Sequence, residues 1–143
     1  MSKITATRYH DFSAGHRVHG HEGKCAHLHG HNYRVHFTVE QVGEGLDSIG
    51  RVMDFSAIKE RLCLWLEREW DHKMLLWEED PLLPALRALD PEGVVDVPFN
   101  PTAENMARFL LKVIAPIELR GYGVTLTNVT IEETRKCSAT AQF

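Results

Sequence analysis

Cys25-Ala-His-Leu-His-Gly-His31 leads directly into Asn32-Tyr33-Arg-Val35-His-Phe37-Thr-Val39-Glu40. In the second half apolar and polar residues alternate, which predicts a strand over residues 33–40 with Tyr33, Val35, Phe37 and Val39 on one face. The first half packs a thiol and three imidazoles together, and His16, His19 and His21 stand close upstream. Alternate side chains of an extended chain leave by the same face, so His29 and His31 are placed to meet at one ion. His27 lies on that same alternating face, and His19 and His21 are also eligible, so spacing alone does not select the ligands. Neutral imidazole is a preferred ligand of zinc and its borderline neighbours, and three protein ligands leave a coordination position open for chemistry. Cys25 shares the face, but an extended chain holds it roughly 13 Å from His29. It reads as a separate reactive group near the metal, and that combination points to an enzyme.

Working outward, residues 4–10 predict a partner strand, with the glycine- and histidine-rich stretch from Gly15 to Gly30 between the two. The ligands therefore belong to a strand end and a connecting loop. Gly43, Gly45 and Gly50 mark turns. Ile58, Leu62, Trp65 and Leu66 recur at helical spacing and predict a helix over residues 56–70. Pro81, Pro84 and Pro91 break up the next region, which ends in a short strand over 94–97. Thr102 is a good N-cap for a second helix striped by Met106, Leu110, Val113 and Ile114, which Pro116 should bend or end. Gly121-Tyr122-Gly123 turns the chain into a long strand over 124–134, with a short one near the C-terminus. Two strands, two helices and two strands argue for an α+β domain spanning 1–143 with an antiparallel sheet covered on one face. The sheet's open edges then favour self-association.

The 143 residues suffice for one domain with a real core, and 43% hydrophobic and 25% charged residues are ordinary for a globular protein. A formal net charge of -4 and the lack of a Lys/Arg run argue against nucleic-acid binding. No apolar stretch is long enough for a membrane span, and Met1-Ser2-Lys3-Ile4-Thr5 lacks the apolar core of a signal peptide. Three cysteines without a regular framework suit a reducing compartment, so a cytoplasmic location is expected. No His-Glu-x-x-His sequence supports a generic zinc hydrolase.

Phe12-Ser-Ala-Gly-His16-Arg17, Cys25-x-x-x-His29-Gly-His31-Asn32-Tyr33, Val52-Met-Asp54-Phe55, Asp71-His72-Lys73, Pro101-Thr-Ala-Glu104-Asn105 and Glu132-Glu133-Thr134 follow one another along nearly the full chain. Together they resemble the 6-pyruvoyl-tetrahydropterin synthase and 6-carboxytetrahydropterin synthase family. Three residues separate Cys25 from His29, as in the 6-carboxytetrahydropterin synthases of the queuosine and 7-deazapurine pathway, where animal-type pyruvoyl enzymes usually place five. The resemblance implies a tunnelling fold (T-fold) of ββααββ units, whose trimers close a barrel and stack as a homohexamer, with active sites at subunit interfaces.

It also implies roles. His16, His29 and His31 match the zinc triad, while His10 and His36 read better as solvated loop residues. Cys25 matches the general base; a thiol serves as one near neutral pH when a neighbouring cation or metal favours the thiolate. Cys63, mid-helix, reads as inert, and Cys137 matches no motif. Asp71 and His72 match the pair that relays protons with the cysteine, which for adjacent residues requires a helix end or loop. Glu133 matches the carboxylate that anchors the pterin through parallel hydrogen bonds, with Glu132 sent to the opposite face by strand alternation. Thr102 and Glu104 are expected to shape the pocket, although Thr102 also serves as an N-cap. Arg17, Lys24 and His27 are assigned to the triphosphate of the substrate. The implied reaction turns 7,8-dihydroneopterin triphosphate into 6-carboxy-5,6,7,8-tetrahydropterin. The alternatives are a pyruvoyl-type synthase that only eliminates triphosphate, and a non-catalytic zinc- or pterin-binding protein.

Overall fold

The computed structural model describes residues 2–143; Met1, part of the segment read for a leader, lies outside them. The first strand, β1, runs over Ala6–His16 and pairs antiparallel with β2, His29–Gln41. Both are longer than their apolar alternation suggests, because the strands continue through the histidines themselves. Tyr33, Val35, Phe37 and Val39 point into the core and are essentially fully buried. Phe12 and Ala14 of β1 share that face, and Phe12 stacks on Tyr33 with ring centroids 5.1 Å apart.

The first helix, α1, runs as Phe55–Ile58, a π-helical segment Lys59–Cys63, and Leu64–Glu69. Asp54 caps it by accepting the Ser56 amide, and Ile58, Leu62 and Leu66 form its buried stripe. Next come β3 (Met74–Trp77), a short helix α2 (Leu83–Leu89) and β4 (Val94–Val97). The long helix α3 comprises Ala103–Phe109, a π-helical Leu110–Ile114 and Ala115–Glu118. Thr102 caps it by accepting the Asn105 amide at 3.1 Å. Pro116 does not end this helix: it comes after the π-helical turn, where the regular i→i−4 ladder is already interrupted, so its missing N–H costs little. The chain closes with β5 (Val124–Glu132) and β6 (Ser138–Gln142).

The strands form one sheet in the order β4-β3-β1-β2-β5-β6. Expectation and structure differ here. β1, β2, β5 and β6 are antiparallel, but β3 pairs parallel with β1, and β4 parallel with β3, so the sheet is mixed. The proline-broken region holds an additional strand and a helix, giving α+β architecture with three helices. Four-residue strands are too short to announce themselves by alternation, so Met74-Leu-Leu-Trp77 carries no strand signal of its own. Gly15 lies against β3 at this junction: a Cβ there would come within 2.5 Å of the end of the Met74 side chain, which would have to move aside.

Candidate active site

Strand register builds the centre of the site. His16, the last residue of β1, stands directly opposite His29, the first of β2, and His31 comes next on the same face opposite the small Ala14. One ligand atom from each of the three rings lies within 4.8 Å of the others. The Nδ1 of His16 donates to the Pro101 carbonyl at 2.7 Å, and the Nδ1 of His29 donates to the His27 carbonyl at 2.7 Å. In neutral rings this leaves the lone pair of each on Nε2. Those two Nε2 atoms are 3.0 Å apart, so two lone pairs face each other and need a cation between them. His31 Nε2 is buried with no hydrogen-bond partner among the described residues. Glu133 adds negative charge, its Oε1 standing 3.6 Å from Nε2 of both His16 and His31.

A proton is a poor candidate for that cation. Burial holds His16 below the ordinary histidine pKa, with His29 acting the same way, against the opposing pulls of Pro101 and Glu133. His31 is lowered too, by burial first and then by His29, despite Glu133. Three neutral nitrogens facing a carboxylate fit a divalent transition metal of the zinc type. Beneath them, burial pushes the Tyr33 hydroxyl far above the usual phenol range, with Glu133 and Cys25 adding to the effect. It therefore stays protonated, 3.3 Å from His16 Nδ1.

The acid–base groups sit on turns rather than strands. Cys25 lies in a single 3-10 turn, Lys24–Ala26, half-buried, so strand alternation does not reach it and the face it was expected to share with His29 does not exist there. Asp71 and His72 stand just beyond the end of α1, where His72 takes a positive φ of 60°. Asp71 accepts the Ser13 amide on one oxygen at 3.0 Å and the His72 Nδ1 proton on the other at 2.9 Å. The His72 amide in turn donates to the Ser13 carbonyl. Left-handed backbone at a non-glycine residue is strained, and here it lets adjacent side chains meet while β1 holds the turn from both sides. Burial works to raise the Asp71 pKa, but the hydrogen bonds from Ser13 and His72 prevail and leave it lowered, hence ionised. His72 and His31 line one open cleft of about 510 Å³, together with Ser13, Asn32, Lys73 and Met74; Cys25 is not on its wall.

The remaining residues divide. Glu132 faces away from the triad and pairs with His36, while Glu133 faces it. His10 pairs with Glu67 at 2.6 Å, so neither His10 nor His36 is a solvated loop residue; both are strand residues with carboxylate partners. Glu104 is exposed in the first turn of α3, beside the capping Thr102. Lys24 is exposed on the Cys25 turn, and His27 is exposed just beyond it. Arg17, assigned to triphosphate, is engaged within the protein by a buried Asp80 at 2.9 Å. Burial pushes Cys63 up to about 11, as suits an inert thiol. The carbonyls of Pro101 and His27, which set two ring tautomers, are invisible in the sequence because backbone atoms carry no residue signal.

Comparison with known proteins shows the family and the fold. The family model described as 6-pyruvoyl tetrahydropterin synthase covers residues 5–142. A 6-carboxy-5,6,7,8-tetrahydropterin synthase of Rickettsia bellii is 34% identical over 94% of this chain and 96% of its own. A probable 6-carboxy-5,6,7,8-tetrahydropterin synthase of Halobacterium salinarum is 37% identical over 89% of this chain and 79% of its own. Among solved structures, an uncharacterized Wolinella succinogenes protein superposes with a TM-score of 0.84 at 23% identity, covering 99% of both chains. The 6-pyruvoyl tetrahydropterin synthase of Caenorhabditis elegans superposes with a TM-score of 0.70 at 26% identity, covering 100% of this chain and 97% of its own. With its family matched over residues 5–142 and a relative 34% identical over 94% of its length, the chain is an enzyme of the 6-pyruvoyl tetrahydropterin synthase family.

Proposed function

We propose that this enzyme converts 7,8-dihydroneopterin triphosphate to 6-carboxy-5,6,7,8-tetrahydropterin, with zinc as its metal, in queuosine and 7-deazapurine biosynthesis. A water is taken up, and triphosphate and acetaldehyde leave. The ring becomes more reduced as the side chain is oxidised, so electrons balance without a redox cofactor. The observation that carries the reading is the convergence of His16, His29 and His31 Nε2 beside the Glu133 carboxylate. That juxtaposition suits a substrate gripped at once by its hydroxylated side chain and its ring. The curated relatives above 30% identity favour the carboxy product over the pyruvoyl one.

His16, His29 and His31 hold the ion. Once bound there, zinc supplies Lewis acidity toward the side-chain oxygens and lowers their proton affinity. Cys25 removes a proton from the substrate side chain. Asp71 fixes the His72 ring through Nδ1, leaving Nε2 free to deliver or relay protons as triphosphate departs and the carbon–carbon bond is cleaved. Glu133 accepts two parallel hydrogen bonds from the pterin 2-amino group and N3–H, while Thr102 and Glu104 shape the pocket. Lys24 and His27, flanking Cys25, supply local positive or hydrogen-bonding character for the triphosphate; Arg17 does so only if it leaves Asp80. By resemblance to the family, the complete site is formed between subunits of a homohexamer in the cytoplasm, a reading compatible with Cys25 lying off the cleft that His72 lines.

The test is product analysis by mass spectrometry after adding 7,8-dihydroneopterin triphosphate to the zinc-loaded enzyme, with Cys25→Ala alongside. Carboxytetrahydropterin and acetaldehyde from the wild type alone are expected. An intact pyruvoyl side chain would move the enzyme to the other branch of the family. Absence of turnover by a folded, zinc-loaded protein would favour a binding role.

A further inference from the structure

We propose that Asp80 is a positioning residue for Cys25, acting through Arg17; the inference rests on the assignment of Cys25 as the proton-abstracting group. Asp80 lies beyond β3, in the turn that leads into α2, and its side chain is completely buried, whereas that of Arg17 is 17% exposed. A buried carboxylate demands hydrogen-bond partners, and here each oxygen has one. Its Oδ2 accepts the Arg17 Nε–H at 2.9 Å and its Oδ1 accepts the Leu82 amide at 2.9 Å.

Arg17 does not stop at Asp80. Its Nη1 donates to the Ala26 carbonyl at 3.2 Å, and its Nη2 donates to His19 Nδ1 at 2.9 Å. One residue further on, the Val18 amide donates to the carbonyl of Cys25 itself at 2.9 Å. Consecutive carbonyls of the Cys25 turn are therefore held by consecutive residues just after the metal ligand His16. The turn has only three residues, contains no buried side chain and makes no side-chain cap of its own. Its position relative to the metal centre must come from outside, and the planar, five-donor guanidinium is the group that reaches it. Asp80 fixes the plane of that guanidinium, so a carboxylate past β3 sets where the thiol of a distant turn stands. Arg17 is on this account a strut and not a triphosphate ligand.

The test uses two variants of the zinc-loaded enzyme. Asp80→Asn keeps an acceptor for the Leu82 amide but removes the charge that orients Arg17. The double variant Arg17→Met/Asp80→Leu replaces the pair by apolar side chains of similar size, a change that buried ion pairs usually tolerate without loss of fold. Hydrogen exchange should show loss of protection at the Val18 amide, and alkylation of half-buried Cys25 should accelerate several-fold relative to exposed Cys137 in the same molecule. Neither readout needs turnover, so both stand even if the proposed reaction is wrong. With the triphosphate substrate, kcat should fall by about 100-fold with little change in KM, the effect of a displaced reacting group. Wild-type exchange and alkylation ratios in the folded double variant would overturn the proposal. So would a rise in KM at unchanged kcat, which would return Arg17 to the substrate.

Discussion

The metal centre and the acid–base groups are built by opposite means. His16, His29 and His31 ride on paired strands, and a single register, His16 opposite His29, brings their nitrogens together. Cys25 and the Asp71–His72 pair ride on turns with few buried side chains, and they are located by hydrogen bonds back to β1 and the residues just after it. The first arrangement is as rigid as the sheet beneath it. The second depends on individual bonds, and loss of any one should displace a reacting group while leaving the fold intact.

Changes to the sheet-borne centre should have the largest effect. His16→Ala should weaken zinc binding, measured by chelator competition, by more than the roughly 10- to 100-fold that accompanies loss of a partner behind a ligand. Retention of wild-type affinity would mean that the three imidazoles do not form the metal site. Asp71→Asn should leave zinc content unchanged but lower kcat by roughly 100-fold, within the usual range for a disturbed proton-transfer group. If it strips the metal instead, the two regions are less independent than their construction implies.

Proton linkage gives a smaller effect confined to the centre. The folded protein holds His16 and His31 below their unfolded pKa, so the unfolded chain binds more protons and stability rises with pH. The thermal midpoint of zinc-free protein should therefore be steady above about pH 6.5, the unperturbed histidine value, and decline below it. Bound zinc should raise the midpoint but make the decline below that pH steeper and carry it further into acid, since the metal excludes protons from the folded ligands while the unfolded histidines still take them up. A midpoint independent of pH between neutrality and the carboxylate range would contradict the burial argument. Smallest of all is Glu132→Gln, which removes a partly exposed partner of His36 on the opposite face of the sheet from the triad. It should change stability by less than about 1 kcal/mol in denaturant titration and leave turnover alone, whereas Glu133→Gln, one residue on, should raise KM sharply.

Much of this architecture is legible in the order of residues. The alternation of Tyr33, Val35, Phe37 and Val39 marks the central strand, and the cap Thr102 stands where a helix begins. β4 is legible as the short strand over 94–97, but β3 and the parallel pairing of the two are not, because Met74-Leu-Leu-Trp77 is too short to show periodicity and pairing leaves no mark in the sequence. Arg17 shows a different kind of limit. Its position in a family motif invites a substrate role, while its partner Asp80 stands 63 positions away.

Local chemistry and short-range pattern are what the sequence by itself determined: imidazoles two apart on a strand, a thiol nearby, a pair of carboxylates split between two faces, and apolar stripes at helical spacing. These arise from backbone periodicity, which any window of the chain displays. Tertiary structure alone decided which histidines meet, because that depends on the register of β1 against β2. It also set the tautomers of His16 and His29 through the carbonyls of Pro101 and His27, and it turned Arg17 inward toward Asp80. Each of these is a contact between backbone or side-chain atoms whose meeting is fixed only when the sheet closes, since burial presses polar groups to find partners and the fold dictates which are in reach.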